Sequence, residues 1–205
     1  MVPYRPTLAT YGEDHWRLFA DDPSFPLPYV VRRGKEFPTN NLTPYQQTML
    51  ANWQQDTYAE FVLKDADAAL ATMTEDPSVF AIPSGTGGSG RGGVLEFYAN
   101  QFLPKIPPDF EPTSLSQTFS NDRIVEEFVI RFTHTLDMDW MLPGVSATGR
   151  KAEFAFVGII EFQAGKVASE RFYWDQATVL SQLGIPHHPV VAAGIGSAAH
   201  LLNLR

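Results

Sequence analysis

His134 is the histidine whose place in the sequence best suits acid/base chemistry. It lies in the run 131–142 (RFTHTLDMDWML), and a strand there would put its ring on the same face as Phe132 and Trp140. Neutral imidazole accepts or donates a proton near neutral pH, so a histidine aimed into a pocket could act as a general acid or base. The alternative is a core histidine held by hydrogen bonds, the more ordinary state of an imidazole on an apolar face.

Glu170 is the carboxylate with the most suggestive neighbours, because it alternates with Phe172 and Trp174 along a strand-like run. Burial beside aromatic rings would raise the pKa of this carboxyl and create a second general acid or base. The more ordinary arrangement places Glu170 at the rim of a sheet, paired with a basic residue such as Arg171 of a neighbouring chain. Proton transfer by His134 and Glu170 is the chemistry that these residues predict.

Other kinds of site have little support. The chain has no cysteine, which removes thiolate nucleophiles, disulfides and zinc–thiolate centres. It also lacks the Gly-x-Ser-x-Gly elbow of serine hydrolases. Asp137 and Asp139 would project from the strand face opposite His134, and the three C-terminal histidines are too loosely spaced for a metal site. We therefore expect no metal and no other cofactor.

Gly85, Gly87 and Gly90 spell G-x-G-x-x-G, the fingerprint of dinucleotide-binding folds. The wider context of that fingerprint is missing. No second β-α-β half follows, and the acidic residue about twenty positions further on, Asp109, falls in a proline-rich loop. We interpret the glycines as a flexible connector into a helix.

Composition limits the class of protein and its partners. With 205 residues, 44% of them hydrophobic, the chain can form one packed core, and its length argues against two. The net charge of -8 and the dispersed basic residues disfavour nucleic acid as a partner. No apolar run approaches the roughly 20 residues of a membrane helix, and the N-terminus lacks the apolar stretch of a signal peptide. We expect a cytoplasmic protein that does not bind membranes.

Helices are predicted in the first half of the chain. Residues 1–42 are rich in proline and should form an extended arm that lies against the body or a partner subunit. The Thr-Pro pair at 43–44 starts a helix, and apolar residues at spacings of three and four extend it to about Lys64. Asp65 should cap a second short helix, and a third is predicted over residues 94–103.

Strands are predicted in the second half, and a helix capped by Asp175 closes it. Helices first and a long antiparallel run afterwards indicate one α+β domain over residues 43–184, with a C-terminal tail at 185–205. Matching parity along the strands places Phe156 and Phe172 on one concave face. The predicted strand runs are 114–120, 124–142, 151–162 and 167–174.

The run 151–184 carries a resemblance to a known family. Two strand-like stretches meet at the tight turn 164–165 (Ala-Gly) and feed a capped helix; ATGRK stands upstream at 147–151, and a Gly-Arg pair occupies 90–91. These features resemble the SnoaL-like branch of the nuclear transport factor 2-like superfamily, over roughly residues 46–184. The resemblance implies a cone-shaped curved antiparallel sheet with N-terminal helices closing an apolar pocket, usually in a homodimer.

The resemblance is far less specific for activity than for fold. The family includes polyketide cyclases, dehydratases, double-bond isomerases and epoxide hydrolases, and many members are not catalytic. When the turn and the last helix are aligned, the essential aspartate of the cyclases falls on Phe172, and their histidine and glutamine positions fall on Gly158 and Phe156. All three polar groups are missing here, and the Asp-Arg-Asp arrangement of the epoxide hydrolases has no clear counterpart.

We therefore predict a lyase or isomerase that transfers protons on a hydrophobic, aromatic or polyketide-like substrate, with His134 and Glu170 as catalytic residues. The alternative is a non-catalytic module that binds a small hydrophobic ligand. In both cases aromatic side chains should form the ligand-binding wall. The residues predicted for that wall are Trp53, Tyr58, Phe132, Trp140, Phe156, Phe172 and Trp174.

Overall fold

The computed structural model of the protein describes residues 41–185 and Leu201. The arm predicted for residues 1–42 and the tail predicted for 185–205 therefore lie almost wholly outside the described residues. Within them, no helix is both long and apolar enough to cross a membrane.

The first helix, α1, spans Pro44–Tyr58 and begins as predicted. The Thr43 hydroxyl accepts a hydrogen bond from the Gln46 amide at 3.2 Å, and the Gln46 side chain accepts one from the Thr43 amide at 2.9 Å. This reciprocal capping box satisfies two of the amides that a helix start leaves free. The helix continues as a π-helical turn over Ala59–Leu63.

The second and third helices are shorter than predicted or displaced. α2 spans Ala66–Ala71 and is capped by the Asp65 side chain, which accepts from the Ala68 amide at 3.0 Å. α3 spans Gly90–Glu96 and leads into a second π-helical turn, Phe97–Phe102, and a 3₁₀ turn, Leu103–Lys105.

The glycine-rich segment is a strand, so its interpretation as a flexible connector is wrong. Strand β1 spans Met73–Ala81, and β2, Thr86–Ser89, pairs antiparallel with it. Gly87 lies so close to β1 that a Cβ atom there would meet the Val79 carbonyl oxygen at 2.0 Å, and its φ is +145°. Glycine serves close strand packing here and not a phosphate.

The remaining strands build one six-stranded sheet in the order β2-β1-β6-β5-β4-β3. They are β3 Glu111–Phe119, β4 Arg123–Thr133, β5 Lys151–Gln163 and β6 Lys166–Trp174. Every pair is antiparallel except β1 with β6, which is parallel. The α+β class and the curved sheet with helices on its concave side are confirmed, while the parallel pair was not foreseen.

The strand predicted to run to Leu142 ends at Thr133. Beyond it, the Asp137 carboxylate accepts from the Ala147 amide at 2.7 Å and the Asp139 carboxylate from the Gly144 amide at 3.1 Å. These bonds from side chain to backbone close a loop over residues 135–148, while the His134 amide donates to the Arg150 carbonyl at 2.8 Å and its carbonyl accepts from the Gly149 amide at 2.9 Å.

The predicted register of the concave face is confirmed. Phe156 lies opposite Phe128 on β4 and opposite Trp174 on β6. Its ring centroid is 5.4 Å from that of Phe172 and 5.6 Å from that of Trp174. The aromatic side chains of three adjacent strands therefore cover one face of the sheet.

The closing turn and helix also follow the prediction. Ala164 and Gly165 both have positive φ, as a two-residue hairpin turn requires. The Asp175 side chain accepts from the amides of Ala177 at 3.0 Å and Thr178 at 3.2 Å, and caps α4, Gln176–Gln182.

Candidate functional site

A cavity lies between the concave face of the sheet and the turns that follow α1 and α3. It holds about 600 Å³ of space free of protein atoms, counting the space at its open mouth. Its wall is almost wholly apolar, and Glu60 and Tyr98 are the lining residues that carry an ionisable side chain. The lining residues are Trp53, Glu60, Phe61, Val79, Ala81, Phe97, Tyr98, Phe102, Phe110, Pro112, Phe128, Ile130, Trp140, Phe156 and Phe172.

Three carboxyl groups meet beside this cavity. Asp56 on α1, Glu60 in the turn after it and Glu170 on β6 each offer an oxygen, and the three oxygens lie within 4.8 Å of one another. All three residues are buried, with exposed fractions of 0%, 2% and 0%. Hereafter they are called the carboxyl cluster. It borders the cavity through Glu60.

Helix geometry explains why α1 supplies two members. Trp53, Asp56 and Glu60 are spaced by three and four residues, so they occupy one face of the helix, and that face is buried against the sheet. Glu170 reaches them because it lies on the concave face of β6, two residues before Phe172 and opposite Val79 of β1.

Both polar residues of the cavity wall lie in π-helical turns. Glu60 belongs to the turn 59–63 and Tyr98 to the turn 97–102. A π turn inserts an extra residue into a helix, and such turns occur frequently at functional sites. Two of them in one domain, each presenting a polar residue to the same cavity, mark this end of the cavity as the candidate site.

Burial and mutual repulsion dominate the electrostatics of the cluster. Burial raises the pKa of Asp56 to about 7. Burial and the charge of Asp56 raise the pKa of Glu60 and of Glu170 well above the ordinary range. Two charges 4.8 Å apart repel by about 3.5 kcal/mol at an effective dielectric constant of 20, so three ionised carboxylates would be strongly destabilising. The cluster therefore needs protons or another cation.

The hydrogen bonds around Asp56 agree with a proton on the cluster. The Thr72 hydroxyl is in hydrogen-bond contact with Asp56 Oδ1 and lies 2.6 Å from the Ala69 carbonyl oxygen. A hydroxyl has one proton; if it donates to Ala69, its contact with Asp56 requires a proton on the carboxyl. Asp56 and Glu170 are also close enough to share a hydrogen bond once one of them is protonated.

Tyr98 completes the group. Its side chain is fully buried, and burial together with the nearby charges of Glu170 and Glu60 raises its pKa. Its hydroxyl faces these carboxyls but has no hydrogen-bond partner of normal geometry among the residues that the structure describes.

A buried glutamate outside the cluster, Glu126, shows by contrast how unusual the cluster is. Glu126 on β4 is 0% exposed, but it accepts hydrogen bonds from Trp53 Nε1 at 2.7 Å and from the Ser114 hydroxyl at 2.5 Å. Both of its oxygens are satisfied. The two oxygens of Glu170 have no such partner in the described chain.

The structure places four of the seven predicted wall residues at the cavity and three elsewhere. Trp53, Trp140, Phe156 and Phe172 line the cavity. Tyr58, Phe132 and Trp174 are not among the lining residues: Tyr58 is half-buried on α1, Phe132 packs on Phe110, and Trp174 stacks on Phe156 from the adjacent strand.

The structure does not bring His134 and Glu170 together. The His134 ring is fully buried in the loop after β4, where Nδ1 accepts from the Thr148 amide at 3.3 Å, and it is absent from the cavity wall. Burial lowers its pKa, partly offset by the charge of Asp137. Glu170 is buried in the carboxyl cluster, so the alternative that placed it at the rim beside a basic residue is wrong.

Asp56, Glu60 and Tyr98 were missed from the sequence. A signal existed for the first two: acidic residues three and seven positions after Trp53 fall on the face that buries this tryptophan. The positions that correspond to the catalytic groups of the cyclases hold no polar side chain. Phe156 and Phe172 are part of the apolar wall, and a Cβ at Gly158 would lie 3.2 Å from the Phe172 ring.

Comparison with known proteins gives one family and one fold. The model of a family described as SnoaL-like domain matches residues 55–170, more than half of the chain. A comparison with curated protein sequences finds no match.

Several solved structures share the fold. A putative SnoaL-like polyketide cyclase from Jannaschia sp. CCS1 is 18% identical and aligns over 73% of this chain and 99% of its own, with a TM-score of 0.57. A putative polyketide cyclase from Xanthomonas campestris pv. campestris is 22% identical over 68% and 98%, with a TM-score of 0.51. An NTF2-like protein of unknown function from Burkholderia pseudomallei K96243 is 19% identical over 66% and 97%, with a TM-score of 0.51.

Proposed function

The chain belongs to the SnoaL-like domain family, and we propose that it is a lyase or isomerase that moves a proton on a hydrophobic, aromatic or polyketide-like substrate. The observation that carries the proposal is the position of Glu60. It is the one carboxyl in the wall of the aromatic cavity as described, and it lies against two further buried carboxyls. An ionisable group at the end of an apolar pocket is the usual arrangement of a general acid or base.

The roles follow from position. Ionised Glu60 takes a proton from the carbon next to a substrate carbonyl, and the electron pair of the broken C–H bond moves onto the carbonyl oxygen. The Tyr98 hydroxyl, which has no other partner in the described chain, donates a hydrogen bond to that oxygen. The proton then returns at another carbon, giving isomerisation, or leaves with a β-hydroxyl as water, giving elimination. Burial and the charge of Asp56 raise the proton affinity of Glu60.

The predicted role of His134 stays a prediction. Its ring lies outside the cavity wall, so the proposal assigns the proton transfer to Glu60, with Glu170 behind it. The variants described in the Discussion test whether His134 takes part.

A non-catalytic binding module is the second candidate, and one observation favours it. The wall is apolar at the three positions where the cyclases of the family are polar, Phe156, Gly158 and Phe172. Such a cavity would hold a hydrophobic ligand without acting on it.

Hydrogen exchange on simple aromatic ketones separates the two candidates. 2-Tetralone and 1-indanone are incubated with the protein in D₂O, and loss of the signal of the α-hydrogens is followed by proton NMR. A proton-transferring site accelerates the exchange, and Glu60→Gln lowers the rate about 100-fold or more, the range for a lost general acid or base. Glu127→Gln is the control, because Glu127 is exposed and contacts Ser116 away from the cavity. Ketones that bind without accelerated exchange would favour the binding module.

A further inference from the structure

We propose that the carboxyl cluster binds a divalent cation with the size and oxygen preference of Ca²⁺, held by Asp56, Glu60 and Glu170. The inference goes beyond the proposed function, because the ion binds whether or not the cavity catalyses a reaction. It stands on the spacing of the oxygens, on the unpartnered polar atoms around them and on the charge of the site.

The spacing of the three carboxyl groups is that of a coordination shell. One oxygen from each side chain can be chosen so that all three lie within 4.8 Å of one another. Two oxygens bound to one Ca²⁺ at about 2.3–2.6 Å are at most about 5 Å apart. Mg²⁺ binds at about 2.0–2.1 Å, so two oxygens bound to it are at most about 4.2 Å apart, and it prefers strict octahedral geometry with several waters, for which a buried cluster of carboxyl groups has less room.

The second observation is a buried polar side chain from a different element. Tyr98 comes from the π turn after α3, is fully buried, and aims its hydroxyl at Glu60 and Glu170 without a hydrogen bond of normal geometry to any described residue. Both oxygens of Glu170 and Oδ2 of Asp56 are also unpartnered. Buried polar atoms are nearly always satisfied, so four oxygens that face one another without a hydrogen bond of normal geometry indicate protons or a cation among them.

Glu126 shows that burial alone does not create this situation. That carboxylate is as buried as Glu170, yet the Trp53 indole and the Ser114 hydroxyl satisfy it. Glu126 therefore has a hydrogen-bond donor for each of its oxygens, whereas neither oxygen of Glu170 has one of normal geometry among the described residues.

The negative charge of the three carboxyl groups favours binding of a cation. Within residues 41–185, the ion pairs join arginines 123, 131 and 171 to glutamates on the outer face of the sheet, and no lysine or arginine pairs with the cluster. Buried charges are tolerated when they are paired or coordinate a metal. All the donor atoms are oxygens, which favours Ca²⁺ or Mn²⁺ over the ions that prefer nitrogen or sulfur.

Terbium luminescence tests the proposal, because Tb³⁺ replaces Ca²⁺ and emits when a nearby aromatic ring transfers energy to it. Tyr98 and Trp53 lie beside the cluster and serve as donors. The full-length protein is stripped with EDTA, dialysed and titrated with Tb³⁺, and Ca²⁺, Mn²⁺ and Mg²⁺ are then added as competitors. We expect sensitised emission that saturates at a single ion per chain and that Ca²⁺ displaces at lower concentration than Mg²⁺.

Matched variants locate the ion. Glu170→Gln and Asp56→Asn keep the shape of each side chain and remove a ligand charge, and each should weaken binding about 100-fold, at the upper end of the loss seen when a supporting residue is removed. Glu126→Gln changes an equally buried glutamate outside the cluster and should leave the affinity within about threefold. Near-ultraviolet circular dichroism checks that each variant is folded, and whichever cluster variant is folded carries the test.

Absence of sensitised emission in the wild type, or equal affinity in a folded cluster variant and in Glu126→Gln, would overturn the proposal. The ketone exchange assay keeps this result apart from the proposed function. Exchange that persists in EDTA and is lost in Glu60→Gln leaves the proton transfer standing without the ion, whereas ion binding without exchange leaves the cation site standing without the reaction.

Discussion

Replacing Asp56 by asparagine should change how the stability of the protein depends on pH. The pKa of this carboxyl is raised from 3.8 to about 7 in the folded protein, chiefly by burial. Folding therefore favours the protonated form. The free energy of unfolding of the wild type, measured in EDTA, should fall as the pH rises from about 4 through about 7, because the unfolded chain then ionises the group more easily than the folded one.

The size of the effect follows from the shift. A difference of about 3 pH units corresponds to roughly 4 kcal/mol at a pH above 7, since each unit is worth about 1.4 kcal/mol. That is a large part of the total stability of about 5–15 kcal/mol of an ordinary domain. Asparagine does not titrate, and its amide can donate a hydrogen bond to the Thr72 hydroxyl as the protonated carboxyl would. The variant should lose this part of the pH dependence, and removing the charge should also lower the raised pKa of Glu60 and Glu170.

Urea unfolding at a series of pH values from about 5 to 8.5 measures the effect. As the pH rises across this range, the free energy of unfolding of Asp56→Asn should increase relative to that of the wild type by several kcal/mol. Glu127→Gln, which changes an exposed carboxyl, should show the same pH dependence of this free energy as the wild type. Parallel curves for the wild type and Asp56→Asn would refute the reasoning, because they would mean that Asp56 is ionised in the folded protein at all these pH values.

Two further predictions concern residues that the sequence had singled out. Asp175→Ala removes the cap of α4 and should lower the free energy of unfolding by about 1 kcal/mol, while ketone binding stays unchanged. A variant that loses ketone binding at unchanged stability would show that Asp175 is not a helix cap but part of the binding site. If His134 is a catalytic residue, His134→Ala should slow exchange about 100-fold and His134→Gln should not restore it; an exchange rate equal to that of the wild type in folded His134→Ala would remove it from the mechanism.

Local signals in the sequence predicted the parts of the fold that depend on a few neighbouring residues. The capping box at Thr43, the cap at Asp175 and the positive-φ turn at Ala164 each depend on atoms within three positions along the chain. The face shared by Phe156 and Phe172 follows from parity within each strand, which a continuous ladder preserves. Such features are readable because no distant residue has to be known.

The loop after β4 shows where local reading fails. Residues 134–142 alternate apolar and polar side chains as a strand would, but Asp137 and Asp139 accept backbone amides ten and five residues further on. These bonds give the backbone an alternative to the ladder, and they turn the chain away from the sheet. His134 itself still pairs through its backbone with Gly149 and Arg150, and its ring lies 6.3 Å from that of Phe132, on the face that was predicted; the strand pattern fails only beyond it.

The polar end of the cavity could not be predicted because it is assembled by tertiary structure. Acidic residues on a helix are usually solvated, and the spacing of Asp56 and Glu60 from Trp53 is the one local sign that this face of the helix is buried. The π turns that present Glu60 and Tyr98 have no sequence signature comparable to a cap. Glu170 was singled out for its aromatic neighbours, but its partners Asp56 and Glu60 lie more than a hundred residues away in the chain.

The partners of Glu170 lie in a different part of the fold from the polar groups of the cyclases that the chain resembles. In the aligned cyclase pattern the polar groups belong to the middle of the sheet, at positions that here hold Phe156, Gly158 and Phe172. Glu170 lies on the same face of β6 as Phe172, about 7 Å along the strand, and the carboxyl groups next to it come from α1 and the turn after α1. A substrate carbonyl bound at Tyr98 would therefore sit against the helical side of the cavity, with its apolar body on the aromatic sheet. We infer that a reaction here acts on the end of a substrate that points towards α1, and that substitutions at Phe156 or Phe172 should alter the affinity for the substrate more than the rate of proton transfer.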